Sequence, residues 1–280
     1  MLLSIFLVFW NVENFFEVDP DGASRWTARR FYAKCNAIAK VMCIAADEIG
    51  QMPDLIALEE VGSLKVVRAL LYSTALCRTD YGIIHYESPD KRGIDCALLY
   101  RKSRFSNVRS KPCHLYGPDG GILDTRDILL FDSDSLGILV NHHPSKVGAG
   151  AGSRRELAMR RMKFLCDSLE ASGCPGIACV GDFNDTPSAW SDSLLSPSLT
   201  EVLPSSGGLG TIKYNGSWEL IDRCFVSPGL KAESRILSYP MLTTKDPAFG
   251  GKKPLRTYSG PRYLGGVSDH YPVLVRIDAD

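Results

Sequence analysis

The chain has no basic excess: Lys+Arg and Asp+Glu each number 32 in 280 residues, and the formal net charge is zero. Proteins that grip long nucleic acid take most of their affinity from phosphate neutralisation and usually carry surplus lysine and arginine. The balance argues against a DNA-coating role and leaves room only for a local basic groove. Zinc motifs are also missing. The nine cysteines are scattered, with no CxxC pair and no Cys/His cluster, which argues against the common structural zinc sites. Cys179 in GIACV and Cys96 in GIDCALLY lie in apolar runs, where a thiol packs as a small hydrophobe. An odd cysteine count in a chain of this size favours reduced thiols over a disulfide framework, and with them a cytoplasmic setting. Export behind a leader outside this chain stays open. Long apolar runs are absent too. MLLSIFLVFW at the N-terminus is too short to cross a bilayer and has neither a basic flank nor a small-residue cleavage site. It reads as a buried first strand, and no transmembrane segment is expected.

What is present has the balance of a soluble globular protein, 45% hydrophobic and 23% charged. No low-complexity linker or visible repeat divides the chain, so residues 1–280 are expected to form a single domain with a sizeable core. Short apolar runs bounded by Gly, Pro, Asn or Asp predict strands at 3–10, 55–59, 81–85, 97–100, 128–131, 137–141, 177–180, 220–226 and 273–277. Ile38, Val41, Met42, Ala45 and Ile49 recur at helical spacing and predict a helix over about 27–49. Leu157, Met162, Leu165 and Leu169 predict a second, over about 154–170, with Ser153 as its N-cap. A shorter helix follows Val61. Several strands follow one another without a helix between them, a pattern of mixed sheets with helices outside. The stretch 243–266 is rich in Gly, Pro, Lys and Arg, lacks periodicity and reads as a long functional loop.

Polar residues gather where the apolar strands give out, a placement that holds side chains rigidly at the mouth of a sheet. The clusters are WNVEN at 10–14, LEEV at 58–61, NHHPS at 141–145, GDFND at 181–185, IDR at 221–223 and VSDHYP at 267–272. Each has a bland reading alone. Asn11 suits a turn, Glu60 a helix start, Asp182 with Asn184 an Asx turn, His142 with His143 a surface pair, and Asp269 with His270 an orienting hydrogen bond. Together they form a set of carboxylate, amide and imidazole groups. Hard oxygens suit magnesium or manganese, and histidines beside them suit phosphate binding and proton handling.

In their order, WNVEN, LEEV, RGIDCALLY, NHHPSK, GDFND, ELIDRCFVS and GVSDHYPV resemble the endonuclease/exonuclease/phosphatase superfamily, in particular its bacterial predicted-hydrolase branch. The resemblance spans Asn11 to Pro272. It implies an α+β fold, a four-layer α/β/β/α sandwich of two mixed sheets (DNase I-like), and a Mg2+- or Mn2+-dependent phosphoesterase. It also implies roles. Glu60 is the principal metal ligand, with Asn11 and Asp269 beside the same ion. Asp182 orients or deprotonates the attacking water, and Asn184 holds a phosphate oxygen. His142 and His270 contact the phosphate as imidazolium donors, and Asp222 fixes the tautomer and charge of His270. Two positions depart from the family pattern. Glu59 stands where glutamine is frequent and is expected to face away from the site by strand alternation. His143 stands where an aromatic residue is frequent, and its role is left open.

The substrate is less legible, because loops select it and the fold does not. The segment Lys252 to Tyr263 is basic and aromatic and directly precedes Asp269-His270. Arg256 and Tyr258 are its candidate substrate contacts, with Arg92 as another. A small or lipid-derived phosphate ester fits the neutral charge better than nucleic acid, a nuclease being the alternative. A catalytically silent binding protein of the same fold is the remaining reading. Nothing in the sequence indicates an obligate partner.

Overall fold

The computed structural model describes residues 4–19, 26–146, 150–186 and 199–279. Its centre is two six-stranded mixed sheets. The first contains β1 (Ile5–Phe15), β2 (Leu55–Val61), β3 (Tyr81–His85), β4 (Asp95–Arg101), β13 (Leu230–Ile236) and β18 (Val273–Ala279), in the order β13-β18-β1-β2-β4-β3. The second contains β5 (Arg109–Cys113), β6 (Ile128–Asp132), β7 (Gly137–His142), β8 (Ile177–Asp182), β9 (Thr200–Glu201) and β12 (Asp222–Val226), in the order β5-β6-β7-β8-β12-β9. Each sheet has one parallel pair at its middle, β1 with β2 and β7 with β8, and pairs antiparallel elsewhere. The long helices α1 (Ala28–Ile49) and α3 (Ala151–Ala171) make the crossovers that parallel pairing demands. A short helix α2 (Leu64–Tyr72) follows β2.

Alternation along the strands builds three apolar layers. Leu7, Phe9, Leu55 and Ala57 of the first sheet meet Ile138, Val140, Ala178, Val180, Cys224 and Val226 of the second, forming the core between the sheets. The intervening residues point outward. Val8, Trp10, Ile56 and Leu58 pack under α1 and α2 with Ile38, Met42 and Val67, while Leu139, Cys179 and Phe225 pack under α3 with Met159, Met162 and Cys166. Helix, sheet, sheet and helix are thus the four layers expected from the sequence.

Several local expectations need correction. β1 runs five residues past Trp10, so WNVEN lies inside the strand and not after it. Thr27 caps α1 through its side chain, but Ser153 lies inside α3, which begins after a left-handed Gly150 with no side-chain cap. The segment 243–266 holds two small hairpins, β14 (Thr243–Lys245) with β15 (Lys252–Pro254) and β16 (Tyr258–Ser259) with β17 (Arg262–Tyr263). A third, β10 (Ile212–Tyr214) with β11 (Ser217–Glu219), lies ahead of β12. All nine cysteines are free. Among the described residues no helix is long and apolar enough to cross a membrane.

Candidate active site

The faces that form the core between the sheets run out at one end of the sandwich into polar side chains of the same parity. In the second sheet Val140 is followed two residues on by His142, Val180 by Asp182, and Cys224 is preceded by Asp222. The ladder sets His142 opposite Asp182 and Asp182 opposite Asp222, so three polar groups stand in a row on adjacent strands. Gly181 makes this row buildable. A Cβ there would lie 2.0 Å from the Asn141 carbonyl oxygen, and its φ of +129° suits glycine alone. In the first sheet the same parity leads from Phe9 to Asn11 and from Ala57 to Glu59. Glu60 enters differently. The register of β2 breaks between Glu59 and Val61, and Glu60 takes a left-handed φ of +62°.

The result is a cleft of about 190 Å³ lined by Asn11, Glu13, Asn14, Glu60, Arg92, Arg126, His142, Ser145, Asp182, Asn184, Arg256, Asp269 and His270. Asn11 Nδ2 donates to Asp182 Oδ2 at 3.0 Å and reaches Glu60 Oε1 at 3.4 Å. The Asn14 amide donates to Glu60 Oε2 at 2.7 Å. His142 Nε2 lies 3.8 Å from Asp182 Oδ2 and 3.9 Å from Glu60 Oε1. Across the cleft His270 Nε2 stands 4.0 Å from Asp182 Oδ2 and 3.9 Å from Asp269 Oδ1. Its Nδ1 is 2.8 Å from Asp222 Oδ2. The turn that presents His270 is tied to β1 by Trp10 Nε1 donating to the His270 carbonyl (2.9 Å) and Ser268 Oγ to the Asn11 carbonyl (2.6 Å). Of the described non-glycine residues with positive φ, Glu13, Asn14, Glu60 and Asn184 all line this cleft. Such conformations cost about 1–3 kcal/mol each and persist where the surroundings over-determine them.

The two imidazoles have opposite electrostatics. Burial works against charge on His270, but Asp222, Asp182 and Asp269 outweigh it and hold its pKa well above the ordinary value. Burial and then Arg126 and Arg92 push His142 well below. Of the two expected imidazolium donors only His270 is pushed toward the charged form; the carboxylates nearest His142 stand beyond hydrogen-bond distance, at 3.8 and 3.9 Å. Burial and then Asp222 raise Asp182 to about 7. Asp182 is held in place by its neighbours, accepting at Oδ1 from the Asn184 amide at 2.8 Å.

Of the residues expected to act at the site as catalytic, metal-ligating or substrate-contacting groups, all but Asp222 and Tyr258 line the cleft. Asp222 stands directly behind His270. Tyr258 is displaced, its ring packed against Trp26 at 5.7 Å and Tyr263 at 5.4 Å. It lies outside the residues that line the cleft. Arg256 lines the cleft, but its guanidinium is engaged by Glu13 (2.6 Å) and Asp269 (3.0 Å). Asn11 turns its amide nitrogen to the carboxylates and its oxygen to the Glu13 amide at 3.0 Å, so it braces the carboxylates. Glu59 is corrected most. It does not face away but continues the inter-sheet face, fully buried, with neither carboxylate oxygen hydrogen-bonded. Burial and the nearby Asp222 and Asp182 push its pKa well above the usual carboxylate range. His143 is buried with its ring edge-to-face on Phe183 and is pushed down to about 3, by burial and then by Arg126.

Three participants escaped sequence reading. Arg126 is buried in the cleft wall, donating to Asp90 at 3.2 Å and to the His143 carbonyl. Glu13 clamps Arg256 and the Thr257 amide. Lys34 is buried against Phe15 and Trp26 and donates to the Glu13 carbonyl and to Thr257 Oγ1. Glu13 had a signal, the alternation from Asn11. Arg126 precedes the antiparallel β6, whose start lies beside the end of β7.

The carboxylate donors of Glu60, Asp182 and Asp269 suit a hard divalent cation. Asp182, Asp222 and His270 also present one donor atom each within 4.8 Å of one another, all of them buried. The two sheets and this chemistry define a DNase I-like hydrolase class. The sequence pattern of the Endonuclease/Exonuclease/phosphatase family matches residues 7–279, and the chain belongs to that family. Solved structures share the fold. TDP2 of Caenorhabditis elegans, in truncated form, is similar at TM-score 0.64 and 15% identity over 99% of this chain and 98% of that one. An endonuclease/exonuclease/phosphatase family protein of Bacteroides thetaiotaomicron gives 0.64 and 18% over 100% and 99%. A mannosyl-6-phosphatase of the same bacterium gives 0.62 and 16% over 98% and 99%. No curated protein matches the chain.

Proposed function

We propose that the chain is a divalent-metal-dependent phosphoesterase, acting as a single domain, that hydrolyses a phosphate mono- or diester by in-line attack of water. The observation that carries this reading is the position of Asp182, at hydrogen-bonding or near-contact distance from Asn11, His142 and His270 inside a polar cleft. A carboxylate tuned near neutrality is suited to accept a proton from water at pH 7. His270, kept charged by Asp222, donates to a phosphate oxygen as negative charge develops. His142, pushed toward its neutral form by burial, contributes one N–H. Asn184 spends one amide hydrogen on the His143 carbonyl at 3.0 Å and keeps the second for a phosphate oxygen. Glu60 and Asp269 would hold Mg2+ or Mn2+, whose chemistry is to draw charge from phosphate oxygens. Arg92 and Arg126 lie at the rim and wall for further phosphate contact.

A small or lipid-derived phosphate ester is favoured as substrate. The cleft is small, and its arginines are largely matched by carboxylates, Arg126 and Arg92 by Asp90 and Arg256 by Glu13 and Asp269. A continuous free basic track for nucleic acid is not assembled from these residues. The test is turnover by purified protein with Mg2+ or Mn2+ of bis-p-nitrophenyl phosphate, inositol phosphates, sphingomyelin, sugar phosphates and plasmid DNA, with EDTA as control. EDTA-sensitive hydrolysis of a small ester is expected. Preferential cutting of plasmid would replace this reading with a nuclease, and no turnover of any substrate with a restored binding signal would replace it with a silent binding protein.

A further inference from the structure

On the outer face of the first sheet a different set of donors converges. Odd-numbered residues of β4, Ala97 and Leu99, pack outward under the helices, and Asp95 opens β4 with that parity. β3 pairs antiparallel with β4, with His85 opposite Ala97. Carried two residues further, this register sets Glu87 opposite Asp95. The catalytic cleft opens from the inner faces, and neither its walls nor its floor include these residues. We propose that His85, Glu87 and Asp95 form a second divalent-cation site, chemically distinct from the catalytic cleft.

The three side chains offer one donor atom each within 4.8 Å of one another. Two of them are unsatisfied where they should not be. The His85 and Asp95 side chains are 2% and 1% exposed, yet His85 Nε2 and Asp95 Oδ2 have no hydrogen-bond partner. Burying polar atoms this way is costly unless something else pairs with them. Their separation is 3.5 Å, longer than the roughly 2.7–3.2 Å of a good N–H···O bond. Two donors on one ion at about 2.1 Å and a tetrahedral angle stand about 3.4 Å apart. The other Asp95 oxygen is already fixed by the Ser88 amide at 2.8 Å, so Oδ2 is aimed and not free to turn away. Glu87 is exposed and leaves the site open to solvent. One imidazole with two carboxylates suits Zn2+, Co2+ or Mn2+ better than Mg2+. An ion there would pin the root of the 88–94 loop, which carries Asp90 and Arg92 to the catalytic cleft.

The proposal does not depend on the reaction, and Co2+ alone is the probe. In full-length protein carrying Glu60→Gln, which weakens the catalytic site, one equivalent of Co2+ is expected to bind, with visible d–d bands and no thiolate charge-transfer band. Adding Glu87→Gln should weaken that binding at least tenfold by calorimetry, and adding His85→Asn should abolish it. Glu87 is exposed, so its variant keeps the fold and the metal-free melting temperature even if the His85 variant does not. Cobalt binding equal in Glu60→Gln and Glu60→Gln/Glu87→Gln proteins, absent from both, or carried by a thiolate band would overturn the proposal.

Discussion

The two sheets share one plan, a central parallel pair with a helical crossover and antiparallel strands on either side, but they deliver their polar groups by different means. The second sheet places His142, Asp182 and Asp222 by simple alternation on paired strands. The first places Glu60 through a register break, with Glu13, Asn14 and Glu60 all in left-handed backbone. Regular ladder holds Asp182, the proposed proton acceptor, with His142 and Asp222 on either side. Left-handed backbone holds Glu60, the proposed cation ligand, and Glu13, which clamps Arg256. The lesson is that the same end of a sandwich uses regularity for one task and stored strain for another.

The largest expected effect breaks the regular side. Asp182→Asn should lower turnover of an active ester by about 10³-fold or more, within or above the range of general acid–base catalysis. Its melting temperature should stay near wild type, since relief of carboxylate crowding offsets lost hydrogen bonds. Gly181→Ala should be worse for folding than for chemistry alone. With Asn141 O at 2.0 Å from the new Cβ, β7 and β8 must separate, and chemical denaturation should report a loss of more than about 3 kcal/mol.

On the strained side the stability effect should have the opposite sense. Glu60→Gly removes the left-handed penalty, about 1 kcal/mol, while removing the acid, so it should be inactive yet at least as stable as wild type in a melt. A marked drop in stability would deny that strain is stored there. A pH-dependent effect concerns Lys34, lowered to about 7 chiefly by burial. Because the folded pKa of this base lies below its unfolded value, the folded state gives up its proton first. Its charge penalty is full below about pH 7 and is relieved as pH rises toward about 10.5. The difference in unfolding free energy between wild type and Lys34→Met should therefore move in favour of wild type across that window. A pH-independent difference would mean that Lys34 binds its proton equally well in the folded and unfolded chain, and would contradict the burial penalty.

Much of this was legible because period-2 alternation and strand boundaries are local properties. The polar residues following GIACV and GILV project from the face those strands bury, and the sequence carries that parity openly. The left-handed turn at Glu60 was not legible, because Glu-Glu-Val looks like uninterrupted strand and the break depends on what β4 and β1 can pair with. With Glu60 assigned to the site, alternating back one residue placed Glu59 outside, whereas the register break lets Glu60 enter the cleft while Glu59 keeps the inner parity of Ala57 beneath it. Arg126 was missed because attention to strand ends overlooks antiparallel strand starts, which reach the same rim. Tyr258 looked like a contact from its place in a basic, aromatic segment, but pairing within the β16–β17 hairpin turns its ring toward Trp26 and Tyr263. The hairpins of 243–266 carry too few residues to show a period at all.

The central claim is that groups from both sheets act as one hydrolytic site. Its most direct test is a double-variant cycle between the sheets, measuring metal-dependent turnover of bis-p-nitrophenyl phosphate by wild type, Glu60→Gln, Asp182→Asn and the double variant. Residues acting as a unit are strongly non-additive, so the double variant should be little worse than the poorer single one. Losses that multiply, or single variants that keep wild-type rates, would contradict a shared site.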